Sequence, residues 1–204
     1  MILTRGANSL EVEDDSKVTI GGRDYPVVQI GNQLWLAENL DYKFTASDPS
    51  SDWCYYDYNE TTYGWTGRKC GLLYNWYAVK DLNDNASTLL PSGWHVPSKD
   101  EWYTLLNSIG GASTAGTKLK AANVSWASSW NGTDDYGFKN LPTGIFTNVY
   151  GPTFSDIGTK SYHWTSTPAG YDAYYFSMTQ AASVLYSNNY KSSRCSLRLV
   201  KTVT

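Results

Sequence analysis

Residues 17–37 read KVTIGGRDYPVVQIGNQLWLA. Three short runs, Lys17–Ile20, Tyr25–Ile30 and Gln33–Ala37, are separated by Gly21-Gly22 and by Gly31-Asn32. Glycine supplies the positive φ of a tight hairpin turn without steric cost, so the stretch predicts an antiparallel meander. In the middle run Tyr25, Val27 and Gln29 share one face, and Pro26, Val28 and Ile30 share the other.

A helix follows much later. Ser98 and Glu101 form a capping box, in which hydroxyl and carboxylate each accept from an otherwise unpaired amide of the first turn. Trp102, Leu105, Leu106 and Ile109 recur at helical spacing as a buried stripe. Gly110-Gly111 ends the helix, and Pro97 fixes the approach to its cap. Residues 114–121 predict a second short helix anchored by Leu119, and the apolar run Leu72–Val79 is also read as helical. Beyond Pro142 the texture changes to short strands, expected at 144–147, 162–166, 173–179, 183–187 and 195–201. Turns are expected at Asn188-Asn189 or Ala181-Ala182. Residues 45–69 have no period and predict a long ordered loop pinned by Trp53, Tyr55, Tyr56 and Trp65. Residues 1–16 carry Glu11, Glu13, Asp14 and Asp15 and are expected to be a flexible lead, with a single domain over 17–204. The fold class is α+β, with mixed and antiparallel sheets and long ordered loops.

Composition narrows the function. The 204 residues include 17 Gly, 9 Trp and 17 Tyr, with 17% charged residues and a net charge of −3. There is no basic stripe for nucleic acid. No run approaches the length of a membrane helix, and no secretory leader is visible. Cys54, Cys70 and Cys195 cannot all pair with one another, and their spacing suggests no zinc site; their pairing stays open. His95 and His163 each lie beside a Trp and are read as structural. Asp134 and Asp135 are adjacent and point apart in an extended chain, and Asp156 stands alone, so no acid/base pair emerges. Neither a GxSxG elbow nor a phosphate loop is present. The oxygen-rich string Trp130–Asp135 lacks the spacing of a calcium loop and is read as a glycine turn with exposed acids. No cofactor is expected.

One segment stands apart. Residues 171–190, YDAYYFSMTQAASVLYSNNY, hold five Tyr, one Phe, three Ser, two Asn and a single charge, Asp172. Tyrosine gives a large, stiff contact surface at low entropic cost, and Ser and Asn add adaptable hydrogen bonding. The composition fits a recognition surface. It equally fits a Tyr-rich antiparallel sheet with one wet face.

Several blocks resemble a known family. Ile30–Leu40 (IGNQLWLAENL), Trp53–Tyr56 (WCYY), Gly71–Val79 (GLLYNWYAV), Pro91–Ser98 with Glu101-Trp102, Gly137-Phe138 with Leu141-Pro142 and Gly144, Trp164–Thr167 and Arg194–Arg198 are similar, in order, to the motifs of the Fibrobacter succinogenes major paralogous domain. Leu72 stands where the family usually has Arg, and Cys70 lies outside its pattern. The resemblance implies a C-type-lectin-like fold in which the N- and C-terminal strands pair and two helices flank the sheet. It also implies a ligand face built from late strands. Similar domains occur in bacterial surface proteins and as the variable proteins of diversity-generating retroelements, in phages and bacteria. There a reverse transcriptase rewrites adenines near the 3′ end of the gene.

An AAY codon rewritten at its adenines becomes NNY, which excludes Lys, Gln, Glu, Met and Trp. Tyr171, Asp172, Tyr174, Tyr175, Ser177, Ser183, Tyr186, Ser187, Asn188, Asn189 and Tyr190 are all permitted outcomes. Ala173, Phe176, Met178, Val184 and Leu185 between them read as scaffold. Those eleven residues are therefore the candidate ligand-binding set of a non-enzymatic module. Its expected partner is a protein or glycan on a cell surface, and its expected place is extracellular, on a cell surface or in a virion. The alternatives are a thiol-dependent enzyme on the same scaffold, related to the formylglycine-generating group and using Cys195 or Cys54, and a structural surface or virion domain.

Overall fold

The computed structural model describes residues 16–54, 70–148 and 151–203. The lead before Ser16 and the loop anchors Tyr55, Tyr56 and Trp65 lie outside the described residues. The meander forms as its turns dictate: β1 (Lys17–Ile20), β2 (Arg23–Ile30) and β3 (Gln33–Leu36) pair in sequence. The last strand, β12 (Val200–Thr202), pairs antiparallel with β3, so the chain's two ends share one four-stranded sheet in the order β1-β2-β3-β12. Both faces of this sheet are covered. Tyr25, Leu34 and Leu36 join one apolar cluster, and Ile30, Trp35 and Val200 join another.

The second sheet is larger and mixed. It contains β4 (Trp53–Cys54), β5 (Leu73–Asn75), β6 (Thr143–Thr147), β7 (Thr153–Ile157), β8 (Ser161–Ala169), β9 (Asp172–Met178), β10 (Val184–Tyr190) and β11 (Arg194–Cys195). Its order is β10-β9-β8-β6-β11-β5-β4, with β7 beside β6. The β6–β8 pair is parallel and the other pairs are antiparallel.

Four helices are described: α1 (Trp76–Asp84), α2 (Ala86–Leu89), α3 (Lys99–Ser108) and α4 (Ala112–Leu119). The capping box at Ser98 and Glu101 is present, and Trp102, Leu105, Leu106 and Ile109 are buried as their spacing requires. Gly110 and Gly111 stop α3 with φ of +100° and +90°, where other residues are strained.

Several sequence expectations are corrected. The run 72–79 is a strand that turns into a helix at Trp76, because Asn75 caps that helix by accepting from the Ala78 amide. Four helices occur among the described residues, where the family resemblance implies two flanking the sheet. The stretch 195–201 breaks into β11 and β12. Of the two turns offered, Ala181-Ala182 lies in the reversal at 179–183, whereas Asn188-Asn189 lie inside β10. Strand β7 has no signal in the sequence beyond its alternation.

Two buried cations hold irregular backbone. Arg198 is 1% exposed and donates to Asn39 Oδ1 (2.7 Å), to the carbonyls of Leu36 (2.6 Å) and Phe138 (2.8 Å), and to that of Lys139 (3.2 Å). Burial pulls its pKa down to about 9. Lys120 is fully buried. Its ammonium donates to Asn131 Oδ1 (2.8 Å) and to the successive carbonyls of Thr179, Gln180 and Ala181 (3.0, 3.2 and 3.1 Å), and lies 5.2 Å over the Trp130 ring. It thereby clamps the β9–β10 turn. Gly116 of α4 lets that turn come close: a Cβ there would lie 2.7 Å from the Ala182 carbonyl oxygen.

Lys120→Met keeps the length of the stem but strips three turn carbonyls of their donor. Unfolding in urea should show stability lower by about 3 kcal/mol, the order expected for several orphaned buried acceptors. An unchanged midpoint would mean that the clamp contributes nothing.

Candidate functional site

The register places Tyr190 opposite Asp172, Asn188 opposite Tyr174, Tyr186 opposite Phe176 and Val184 opposite Met178. Side chains alternate across a strand, so the ribbon β9–β10 has two distinct faces. Asp172, Tyr174, Tyr186, Asn188 and Tyr190 lie on the face that meets α3. Tyr175, Ser177, Ser187 and Asn189 lie on the other. Tyr171 occupies the β8–β9 turn, and Ser183 ends the turn before β10. The eleven candidate residues are contiguous along the ribbon but do not share a single face.

The α3 face grades from core to solvent. Phe176 stacks on Trp102 with centroids 5.2 Å apart. Tyr103 sets its ring edge-on to Phe176 (5.4 Å) and to Tyr186 (5.6 Å). Tyr186 continues to Tyr174 at 6.0 Å, and Lys99 Nζ sits 4.9 Å over the Tyr174 ring. A ridge of touching rings thus runs from the buried Trp102 outward. Burial raises the Tyr103 phenol above its ordinary pKa, with the Tyr186 phenol adding to the effect. At the solvent end Tyr171, Tyr186 and Tyr190 are 98%, 50% and 54% exposed.

The opposite face is partly closed. Ser177 is only 8% exposed, and the half-buried Tyr175 packs on Tyr162 (5.4 Å) and Trp164 (6.1 Å). Burial raises the Tyr175 pKa. The Tyr162 hydroxyl donates to Asp156 at 2.5 Å, and its own pKa is pushed up by burial and by that bond. Ser187 is exposed and Asn189 half-buried on the edge strand. Ala173, Phe176, Met178 and Val184 are buried, as scaffold residues should be. Leu185, read as scaffold, is 55% exposed, because alternation turns it away from Val184. That odd position was visible in the period of two. Tyr103 and Lys99 were missed because they lie on a helix distant in sequence.

The other titratable groups serve the frame. The Cys195 thiol is fully buried and burial pushes its pKa well up, the opposite of an activated nucleophile. Cys70 is buried as well. His163 is buried and held neutral by desolvation, with Nε2 against Asn140 Oδ1 at 2.7 Å. In the string Trp130–Asp135, Asn131 accepts from Lys120 and Asp134 accepts from the Lys139 amide. Among the described residues no group of three or more His, Cys, Asp or Glu is placed to hold a metal ion. Two clefts, of about 560 Å³ beside Lys17, Trp94 and Lys201 and about 400 Å³ beside Glu38, Trp126 and Asp134, include no ribbon residue.

This arrangement defines an α+β domain that carries a tyrosine-lined ribbon on a core of three apolar clusters. The chain belongs to the family of the Fibrobacter succinogenes major domain, whose model matches residues 28–201. Comparison with curated proteins and with solved structures gives no match.

The start of α3, which sets Lys99 under Tyr174, depends on a charged pair. His95 Nε2 meets Glu101 Oε1 at 2.6 Å and Nδ1 meets the Gly93 carbonyl at 3.0 Å, an arrangement in which both ring nitrogens donate once the imidazole is protonated. The Glu101 bond raises the His95 pKa. Burial works to raise Glu101, but bonds from His95 and Ser98 outweigh it and hold the carboxyl below its usual range. The His95 contribution is complete below pH 6.5 and fades as pH climbs through the raised folded value. That of Glu101 is complete above pH 4.5 and fades as pH falls through its lowered value. Urea midpoints followed against pH should decline on the alkaline side in the wild type, and His95→Gln should flatten that decline. An identical alkaline slope in both would show that the pair is not charged.

Proposed function

We propose that this chain is a non-enzymatic recognition module of C-type-lectin-like architecture. Its ribbon β9–β10 grips a protein or glycan on a cell surface. One observation carries the reading: Tyr186 and Tyr190 on β10 and Tyr171 in the adjoining turn are exposed at the outer end of a ribbon whose inner residues, Phe176, Met178 and Val184, are buried in the core. Rigid aromatic groups presented this way lose little entropy on binding and often dominate interface energies. The clefts beside Lys17 and Glu38 lie away from the ribbon, which favours a macromolecular surface over an enclosed small molecule. The pairing of β3 with β12 and the helices on the larger sheet agree with the lectin-like plan. The burial of Cys195 speaks against thiol catalysis there.

The ribbon is further proposed as the variable segment of a diversity-generating retroelement. In support, Tyr171 and the exposed positions of β10 carry residues that NNY codons permit, whereas the buried Met178 and the exposed turn residue Gln180 are ones they exclude. A reverse-transcriptase gene nearby, with a near-copy of the 3′ end differing mainly at adenines, is the expected genomic context. Its absence would confine the proposal to a fixed binding face.

Replacing Tyr171, Tyr186 and Tyr190 together by Ala tests the site. Binding to a printed glycan array and to intact bacterial cells should disappear, while the melting temperature stays within about 5 °C of the wild type. Unfolding of the triple variant would make these rings structural. Retained binding would place the site elsewhere.

A further inference from the structure

We infer that the recognition surface takes a basic side chain, arginine or lysine, of a protein partner at Asp172, Tyr190 and Tyr171. The inference rests on the proposed function and specifies the chemistry of the ligand. Asp172 and Tyr190 are direct cross-strand partners. Their side chains leave the sheet on the same face, with Cβ atoms about 5 Å apart as such pairs have. Tyr171 adjoins Asp172 in the turn and is 98% exposed. Asp172 is thus a half-buried acid with one exposed tyrosine across the strand pair and another beside it in the chain.

Among the described residues Asp172 takes part in no ion pair. The two lysines nearest in the fold are committed to other groups. Lys99 Nζ lies over the Tyr174 ring at 4.9 Å. Lys191 Nζ donates to the Gly170 carbonyl at 2.7 Å and lies 4.8 Å over Trp76. Trp76 itself bonds the Thr165 carbonyl from α1, on the side of the sheet away from α3. Lys99 on Tyr174 shows that a phenol face of this ribbon accepts a cation.

Asp172 and Tyr190 repeat that chemistry with the cation left to a partner. A carboxylate beside aromatic faces suits guanidinium or ammonium through charge and ring quadrupole together. A neutral glycan would gain from the hydroxyls and amides but would have no use for the unpaired charge. The chain's net charge of −3 also favours approach of a basic partner.

The test uses the full ¹⁵N-labelled chain with tetra-arginine as probe and tetraglutamate as control. Tetra-arginine should move the amide signals of Tyr171, Asp172 and Tyr190, and tetraglutamate should not. Asp172→Asn should weaken the titration at least about fivefold, the loss expected for one charge-assisted contact. Tyr190→Phe should keep it and Tyr190→Leu should reduce it. Equal titrations in wild type and Asp172→Asn, or matching shifts with tetraglutamate, would overturn the inference. The two readings separate on cells. If the triple tyrosine variant loses cell binding while Asp172→Asn retains it, the ribbon is a recognition face and the basic-group site is wrong. If both retain it, both readings fall.

Discussion

A guanidinium buried without a carboxylate has to find oxygen elsewhere, and Arg198 finds it in three carbonyls and one amide side chain drawn from two distant parts of the chain. It accepts no compromise in position, because each unsatisfied N–H would add to a desolvation cost already large for a charge. Leu36 and Asn39 end the first meander, Phe138 and Lys139 lie in a mid-chain turn, and Arg198 itself begins the return to β12. Asn39 extends the network by donating to the Cys70 carbonyl and the Ser196 hydroxyl. The pairing of the chain's ends and the placement of β11 in the larger sheet both depend on this junction. Its charge also lowers the affinity of His163 for a proton, keeping a second buried polar group neutral.

Local rules wrote much of the fold. The glycine turns of the meander, the Ser98–Glu101 box and the Trp102–Ile109 stripe are each determined within a few residues, and each is where spacing puts it. What stayed hidden depends on partners far away. Leu72–Val79 is apolar throughout and has no period to divide it, so only the Asn75 cap and the pairing of Leu73–Asn75 with β4 and β11 split strand from helix. Arg198 lies in the break between β11 and β12, where its side chain reaches acceptors far away in sequence. Lys120 reads as an ordinary surface lysine near a helix end, and nothing nearby in sequence announces its carbonyl acceptors.

The candidate site was legible in composition and half legible in geometry. Tyr171, Tyr186 and Tyr190 are exposed where a tyrosine-rich ribbon would offer them. Composition has no direction, however. Only the register shows that Tyr175 and Ser177 turn toward Tyr162 and Trp164, while Tyr174 and Tyr186 turn toward α3. The contribution of Tyr103 needed the packing of a helix some seventy residues upstream of the ribbon, and its neighbour Trp102 masked it as one more core aromatic.

The clamp on the β9–β10 turn acts only on main-chain oxygens. An ammonium that holds the carbonyls of Thr179, Gln180 and Ala181 is blind to the side chains those residues carry. The indole bonds from Trp76 to Thr165 and from Trp164 to Tyr74 have the same property. Anchorage of this kind separates the shape of the loop from its spelling: letters can be exchanged along it while the mooring points persist. Exchange of a side chain along the turn therefore leaves the clamp's acceptors in place.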